Sequence, residues 1–233
     1  MRRIKYAIGM IAVLLLFMLM GINITGVTNH KLLGLSFFGV MGIEVLLNLS
    51  WFTGYVERLK KSGNSLINLL WLLLNTFLMI DILLLFISSV VIAIIDSREW
   101  VFAHTLSAYV GLILIGVYIG FHWNMVLGSV RRALKLKPKN VLRNILLRII
   151  VACMVFFGIS ASFNREIGEK FTYYYEEQQE EVKEDYLGNL YLDFINITSI
   201  YVAIGHYGLK TINYVKRRIV KGVRENEPVK DKE

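Results

Sequence analysis

The stretch LINLLWLLLNTFLMIDILLLFISSVVIAII, residues 66–95, carries a single charge, Asp81, and no proline. It exceeds the ~20 apolar residues that a helix needs to cross the hydrocarbon core of a bilayer. No soluble domain of this size has room to bury such a run together with its neighbours. Those neighbours are the apolar segments 7–26, 32–53, 104–128, 142–163 and 190–212, joined by short charged hinges. The whole chain of 233 residues is 55% hydrophobic with 2 prolines, and its mean hydropathy is +0.53. Long uninterrupted runs exclude a β-barrel, whose strands alternate apolar and polar residues over about 10 positions. The sequence therefore predicts an all-α polytopic membrane bundle of about six transmembrane helices.

Charge orients the bundle. With the N-terminus in the cytoplasm, 21 Lys and Arg fall on inner segments and 5 on outer ones, the bias that cytoplasmic loops show. Both termini are then cytoplasmic. The net charge of +8 sits at juxtamembrane positions, where Lys and Arg face anionic lipid headgroups, and this distribution argues against nucleic acid as a partner. The expected organisation is a bundle over 1–212, with an acidic outer loop at 164–189 that holds Tyr173, Tyr174 and Tyr175, and a basic cytoplasmic tail over 213–233. The basic start and the long first apolar run read as a retained span rather than a cleaved leader. Cys153, the one cysteine, reads as a small buried residue of the fifth span.

Ionisable groups inside a bilayer are costly, so each is a functional candidate. Here they are Glu44, Asp81, Asp193 and four histidines. His30 precedes Glu44 by 14 residues and His104 precedes Tyr118 by the same interval. Fourteen residues are about 3.9 turns and about 21 Å of rise, which returns a side chain nearly to its starting face. The two spans run in the same direction, so both pairs match in depth. His30 and His104 lie near the outer ends of their spans and make a complete pair of axial haem ligands. At the inner level Glu44 and Tyr118 stand where a second pair would be. Gly111, midway on the same face, is expected to let a porphyrin approach the backbone, with Phe37 at the midpoint of the facing helix. A different inner pair is His122 with His206, each about six residues from the inner end of its span and so at equal depth.

Thr25-Gly26, His30 with Leu33-Gly34, Leu47-Asn48 with Trp51, His104 with Ala108-Tyr109, Gly120 with His122-Trp123, and Gly205-His206-Tyr207 together resemble the flavinylation-associated cytochrome family. The resemblance runs from the end of the first span to His206. It implies a cytochrome b-like core in a bacterial cytoplasmic membrane, with b-type haem bound by His30 and His104 and electrons passed toward extracytoplasmic flavin-bearing domains. Members of the family commonly have histidine where this chain has Glu44 and Tyr118, so one haem is expected and the second is in doubt.

The expected function is thus that of an electron-transfer subunit, a redox carrier more than a stand-alone enzyme. Its cofactor-binding candidates are His30, His104, His122 and His206, with His30 and His104 as metal ligands. Membrane quinol, oxidised to quinone, is the candidate donor, and an extracytoplasmic flavoprotein or another membrane subunit the acceptor. Two other readings stay open. One is a haem-free accessory subunit or proton- or ion-coupled transporter that uses Glu44 and Asp81. The other is a scaffold that binds another membrane protein through the Gly116-xxx-Gly120 face. Phosphate loops, paired CxxC, HExxH and nucleophile elbows are absent from the sequence.

Overall fold

The computed structural model describes residues 2–47, 54, 66–95, 97–135, 140–172 and 187–225. Trp51, the basic hinge at 58–61, Tyr173–Tyr175, the acid-rich run from Glu176 to Asp185 and the tail beyond Glu225 lie outside the described residues. Among those described there is no strand. The helices are α1 (Arg2–Leu19), α2 (Ile22–Leu47), α3 (Leu66–Ile94), α4 (Arg98–Phe121), α5 (Trp123–Ala133), α6 (Val141–Asn164) and α7 (Leu187–Glu225), with a 3₁₀ turn at Glu169–Phe171.

Four of these, α2, α3, α4 and α6, are long and apolar enough to cross a membrane, against the six expected. The apolar part of α1 spans only Ala7–Leu19, short of the ~20 residues required. In α7 the apolar stripe shares the helix with polar residues, Asp193 and Asn196 among them, and the helix continues unbroken through the expected tail to Glu225. Large side chains such as Leu35 (74% exposed), Phe156 (69%) and Ile94 (76%) line the outer surface. An apolar exterior of this extent is stable in lipid and aggregates in water.

The breaks between helices have local causes. The chain turns at Met20-Gly21 and kinks again at Gly26, whose φ of 75° and ψ of 159° lie in a region only glycine occupies cheaply. Thr25 Oγ1 donates to Gly21 O at 3.0 Å, and Asn29 Nδ2 donates to Thr25 O at 2.8 Å, stitching the two sides together. The straight part of α2 thus begins just after Gly26, about a turn earlier than expected, with His30 in its first turn. His122 ends α4 and starts α5: its amide approaches Tyr118 O, and its carbonyl accepts from Met125 and Val126. The predicted span 104–128 is therefore shifted to Arg98–Phe121. His122 sits at a helix junction rather than two turns inside a span. The short α5 ends in Arg131 and Arg132.

The helices pack as a row, α3–α4–α7–α6, with the α1–α2 hairpin laid against it. Along α3 and α4, Trp71 meets Tyr118 and Phe121, while Ser88 and Ser89 meet His104, so these helices are antiparallel. Along α4 and α7, Tyr109 meets Phe194 and Gly120 meets Gly205, so they are parallel. Small residues let α7 in closely. A Cβ on Gly116 would lie 2.7 Å from Tyr201 Cβ, one on Gly120 would strike the Val202 carbonyl, and one on Gly158 of α6 would strike that of Asn196. The Gly116-xxx-Gly120 face is consequently filled by α7 of the same chain, which overturns its expected use as a docking surface for another protein. Without a hydrophobic drive between helices in lipid, close van der Waals packing of this kind holds a bundle together. Arg165 clamps α6 to α7 through Asp193, with Nη2 to Oδ2 at 2.8 Å and Nε to Oδ2 at 2.9 Å; Asp193 thereby has a structural partner. Cys153 is exposed on α6 rather than buried, because that part of α6 faces outward.

Candidate functional site

The bundle interior is arranged in three levels, all built on α4. At the first level the rings of His30 and His104 face each other edge to face, with centroids 6.1 Å apart and an interplanar angle of 71°. Equal intervals on parallel helices bring this pair together, and the same geometry brings Glu44 toward Tyr118. An imidazole nitrogen binds a metal at about 2 Å and lies about 1 Å from its own ring centre, so two rings on opposite sides of one ion have centroids about 6 Å apart. The two rings stand at that distance, crossed at 71°.

Partners on α3 orient His104. Ser88 Oγ and Ser89 Oγ donate to Leu85 O at 3.0 and 2.7 Å, and both oxygens approach His104 Nδ1, at 3.3 and 3.2 Å. When both hydroxyl hydrogens go to Leu85 O, Nδ1 is the ring nitrogen that carries the proton and donates to the serine oxygens. In that tautomer Nε2 keeps its lone pair, the state in which a histidine ligates a metal. His30 Nδ1 is buried, close to the end of α1 at Leu19, yet has no hydrogen bond of ordinary geometry. Among the described residues no cluster of three or more His, Cys, Asp and Glu is gathered to hold a metal. An ion between His30 and His104 would therefore have two protein ligands and need the rest from a macrocycle or solvent.

The middle level is packed. Phe37 and Leu112 are each 2% exposed, and the space over Gly111 is held by Asp81: a Cβ there would lie 2.6 Å from Asp81 Oδ2. Gly111 therefore does not present open backbone to a porphyrin as expected; its missing side chain makes room for a carboxylate. Ser107, 1% exposed, lies beside that carboxylate, but its Oγ has no partner of ordinary geometry.

At the third level Glu44 faces Gly9 of α1 and lies within electrostatic range of Tyr118. The Tyr118 ring contacts His122 at 4.4 Å between centroids, and Trp71 stacks edge-on against Tyr118 and His122 at 6.1 and 4.7 Å. His122 Nδ1 lies 3.0 Å from Tyr118 O, so the ring is turned back onto its own helix and toward α3. His206 is on α7, its backbone against Gly120 and its ring against Tyr207 at 5.0 Å. The two histidines share a level, but among the described residues their rings make no contact with each other.

Sequence reading missed Ser88, Ser89 and Ser107. The signal was present: Asp81, Leu85 and Ser88 fall at i, i+4 and i+7, one helical face, which makes the polar residues of α3 a stripe rather than a scatter. Comparisons with family models, curated proteins and solved structures give no match.

Proposed function

We propose that this chain is a membrane electron-transfer subunit holding one b-type haem between His30 and His104. The observation that carries this reading is the 6.1 Å separation of the two rings, joined to a His104 whose Nδ1 is already engaged by Ser88 and Ser89. A haem brings most of its iron's ligands with it, so His30 and His104 would suffice to hold it where, among the described residues, no third ligand is gathered. Haem when bound provides reversible one-electron chemistry at iron. His30 and His104 would hold it, the serines would set the orientation and basicity of His104, and the apolar surroundings of α2 and α4 would exclude water and tune the potential.

A single haem at the outer level is favoured by the packing below it, where Phe37, Leu112 and Asp81 leave no slot for a second ring. The Glu44–Tyr118 level then serves as a hydrogen-bonded polar cluster. In this reading all six apolar segments cross the bilayer, α1 and α7 included, as a cytochrome b-like core in a bacterial cytoplasmic membrane with both termini inside. The acceptor is an extracytoplasmic flavin or other redox domain, and the family resemblance supports that choice.

The test is a dithionite-reduced minus oxidised spectrum, with pyridine haemochrome quantification, on protein produced with ample haem. One b-type haem per chain is expected, lost in His30→Ala and in His104→Ala and retained in His206→Ala. A protein without a b-type signal overturns the reading, as does haem that survives both His30→Ala and His104→Ala.

A further inference from the structure

The short helix α5 begins where the bundle leaves the hydrocarbon. Its predecessor α4 has 24 residues, about 36 Å at 1.5 Å each, which already matches a hydrocarbon core of about 30 Å. Whatever follows His122 therefore stands at headgroup depth or beyond. No residue of α5 is buried, yet the helix has two unlike sides. Trp123, Val126, Leu127 and Val130 follow at i, i+3, i+4 and i+7, and Leu134, the C-cap, continues the same stripe. Asn124, Gly128, Arg131 and Arg132 fall on the other side. Val130 and Leu134 are 46% and 63% exposed, so the far half of the apolar stripe is left open. Held out in water it would stay uncovered, whereas a helix laid along the membrane surface sinks such a stripe into the boundary between headgroups and acyl chains.

The polar side carries charge without a counterpart. From residue 100 to residue 164 the chain has seven Lys and Arg and no Asp or Glu. Among the described residues Arg131 and Arg132, in the last turn of α5, meet no carboxylate. Arg132 is nonetheless held in place. Ser129 Oγ donates to Met125 O at 3.0 Å and accepts from Arg132 Nη2 at 3.1 Å. That bond draws the guanidinium back along the helix to Gly128, where an added Cβ would lie 3.9 Å from Nη1. A guanidinium fixed by one hydrogen bond to a hydroxyl, with its other donors unspent, is preorganised for phosphate oxygens.

We infer that α5 lies in the plane of the leaflet at this end of the bundle and selects anionic phospholipid. The stripe from Trp123 to Leu134 enters the leaflet, and Arg131 and Arg132 take headgroup phosphates, Arg132 in the setting that Ser129 gives it. Phosphatidylcholine has a phosphate too, but its ammonium group cancels the charge. With two guanidinium groups and no acid beside them, a headgroup of net negative charge is preferred. A diffuse excess of Lys and Arg would attract anionic lipid loosely; a positioned arginine on an embedded helix makes the attraction local. This surface stands apart from the haem reading.

The test uses the full chain in nanodiscs, with an environment-sensitive thiol label at Val130→Cys in a Cys153→Ser background and thermal unfolding to verify each fold. An apolar emission is expected, and a water-like one would overturn the in-plane placement. Brominated phosphatidylglycerol should quench the label more strongly than brominated phosphatidylcholine at equal mole fraction, at least about five-fold, the equivalent of one basic group at an anionic surface. Arg131→Gln/Arg132→Gln should bring the two lipids near parity, while Ser129→Ala and Arg132→Lys, which keep the charge and lose the fixed fork, should each lower the preference about two-fold. Lys210→Gln/Arg217→Gln removes the same charge from α7 at the same end of the bundle and should leave the preference unchanged. Parity in the parent chain, or an equal loss in the α7 variant, would overturn selection by α5. Inorganic phosphate that displaces the brominated phosphatidylglycerol would also overturn it, by assigning the arginines to a soluble anion.

Discussion

Two faces of α4 do opposite things with small residues. Toward α7, Gly116 and Gly120 remove side chains so that backbones touch, and added atoms there would run into a carbonyl and a Cβ that cannot move. Toward α3, Gly111 and Ser107 remove bulk so that a polar side chain, Asp81, can fill the gap. The first face is scaffold, and close packing makes it stiff. The second holds a buried carboxylate and a buried hydroxyl side by side, one turn from His104. A glycine in a membrane helix therefore says only that something approaches closely; what approaches separates structure from chemistry.

The sharpest way to break the comparison is to add one methyl on each face. Gly120→Ala forces the Val202 carbonyl and the α7 backbone outward and should cost about 3 kcal/mol or more, at the upper end of overpacking effects, seen as a large drop in thermal midpoint in detergent. Gly111→Ala meets the end of a flexible side chain, so it should leave the midpoint within a few degrees while displacing the Asp81 carboxylate. Gly42, with nothing within 4 Å of a Cβ, is the control: Gly42→Ala should be neutral or stabilising by about 0.4–1 kcal/mol. Equal losses in Gly120→Ala and Gly111→Ala would erase the distinction between the faces.

A smaller effect sharpens the chemical side. The Ser88→Ala/Ser89→Ala double variant removes both acceptors of the His104 Nδ1–H and should lower haem retention about 10–100-fold, the usual cost of losing groups that orient a metal ligand, with little change in unfolding. Haem retention equal to that of the parent would show that the serines serve only the helix backbone at Leu85. The smallest effect belongs to the clamp at the end of the scaffold. Arg165 and Asp193 are partly solvated, at 20% and 31% side-chain exposure, so Asp193→Asn should cost no more than about 1 kcal/mol and leave haem content unchanged.

Much of the architecture was legible along the chain. Residues 66–95 could only be a buried or membrane helix, and the shared 14-residue interval of His30–Glu44 and His104–Tyr118 anticipated that His30 meets His104 while Glu44 lies within electrostatic range of Tyr118. Boundaries were less legible. The kink at Gly26 and the junction at His122 depend on backbone conformations that hydrophobic runs do not report, and an apolar run does not show where a turn will interrupt it, as Met20-Gly21 interrupts 7–26. The role of Gly111 was misread because spacing places a glycine on a face without saying what fills it. Asp81 and Gly111 belong to different helices, and only their packing joins them.

Hydrophobicity and charge are properties of the chain that the solvent reads directly, so the helical membrane class followed from composition, and the approach of His30 to His104 was anticipated from their spacing. Which helix fills each face of α4 is settled by short-range contact, where a shift of one residue turns a side chain by about 100°. That is why only the tertiary structure decided that α7 occupies the Gly116–Gly120 face, that Trp71 and Tyr118 take up the ring of His122, and that the Asp81 carboxylate lies over Gly111 beside Ser107.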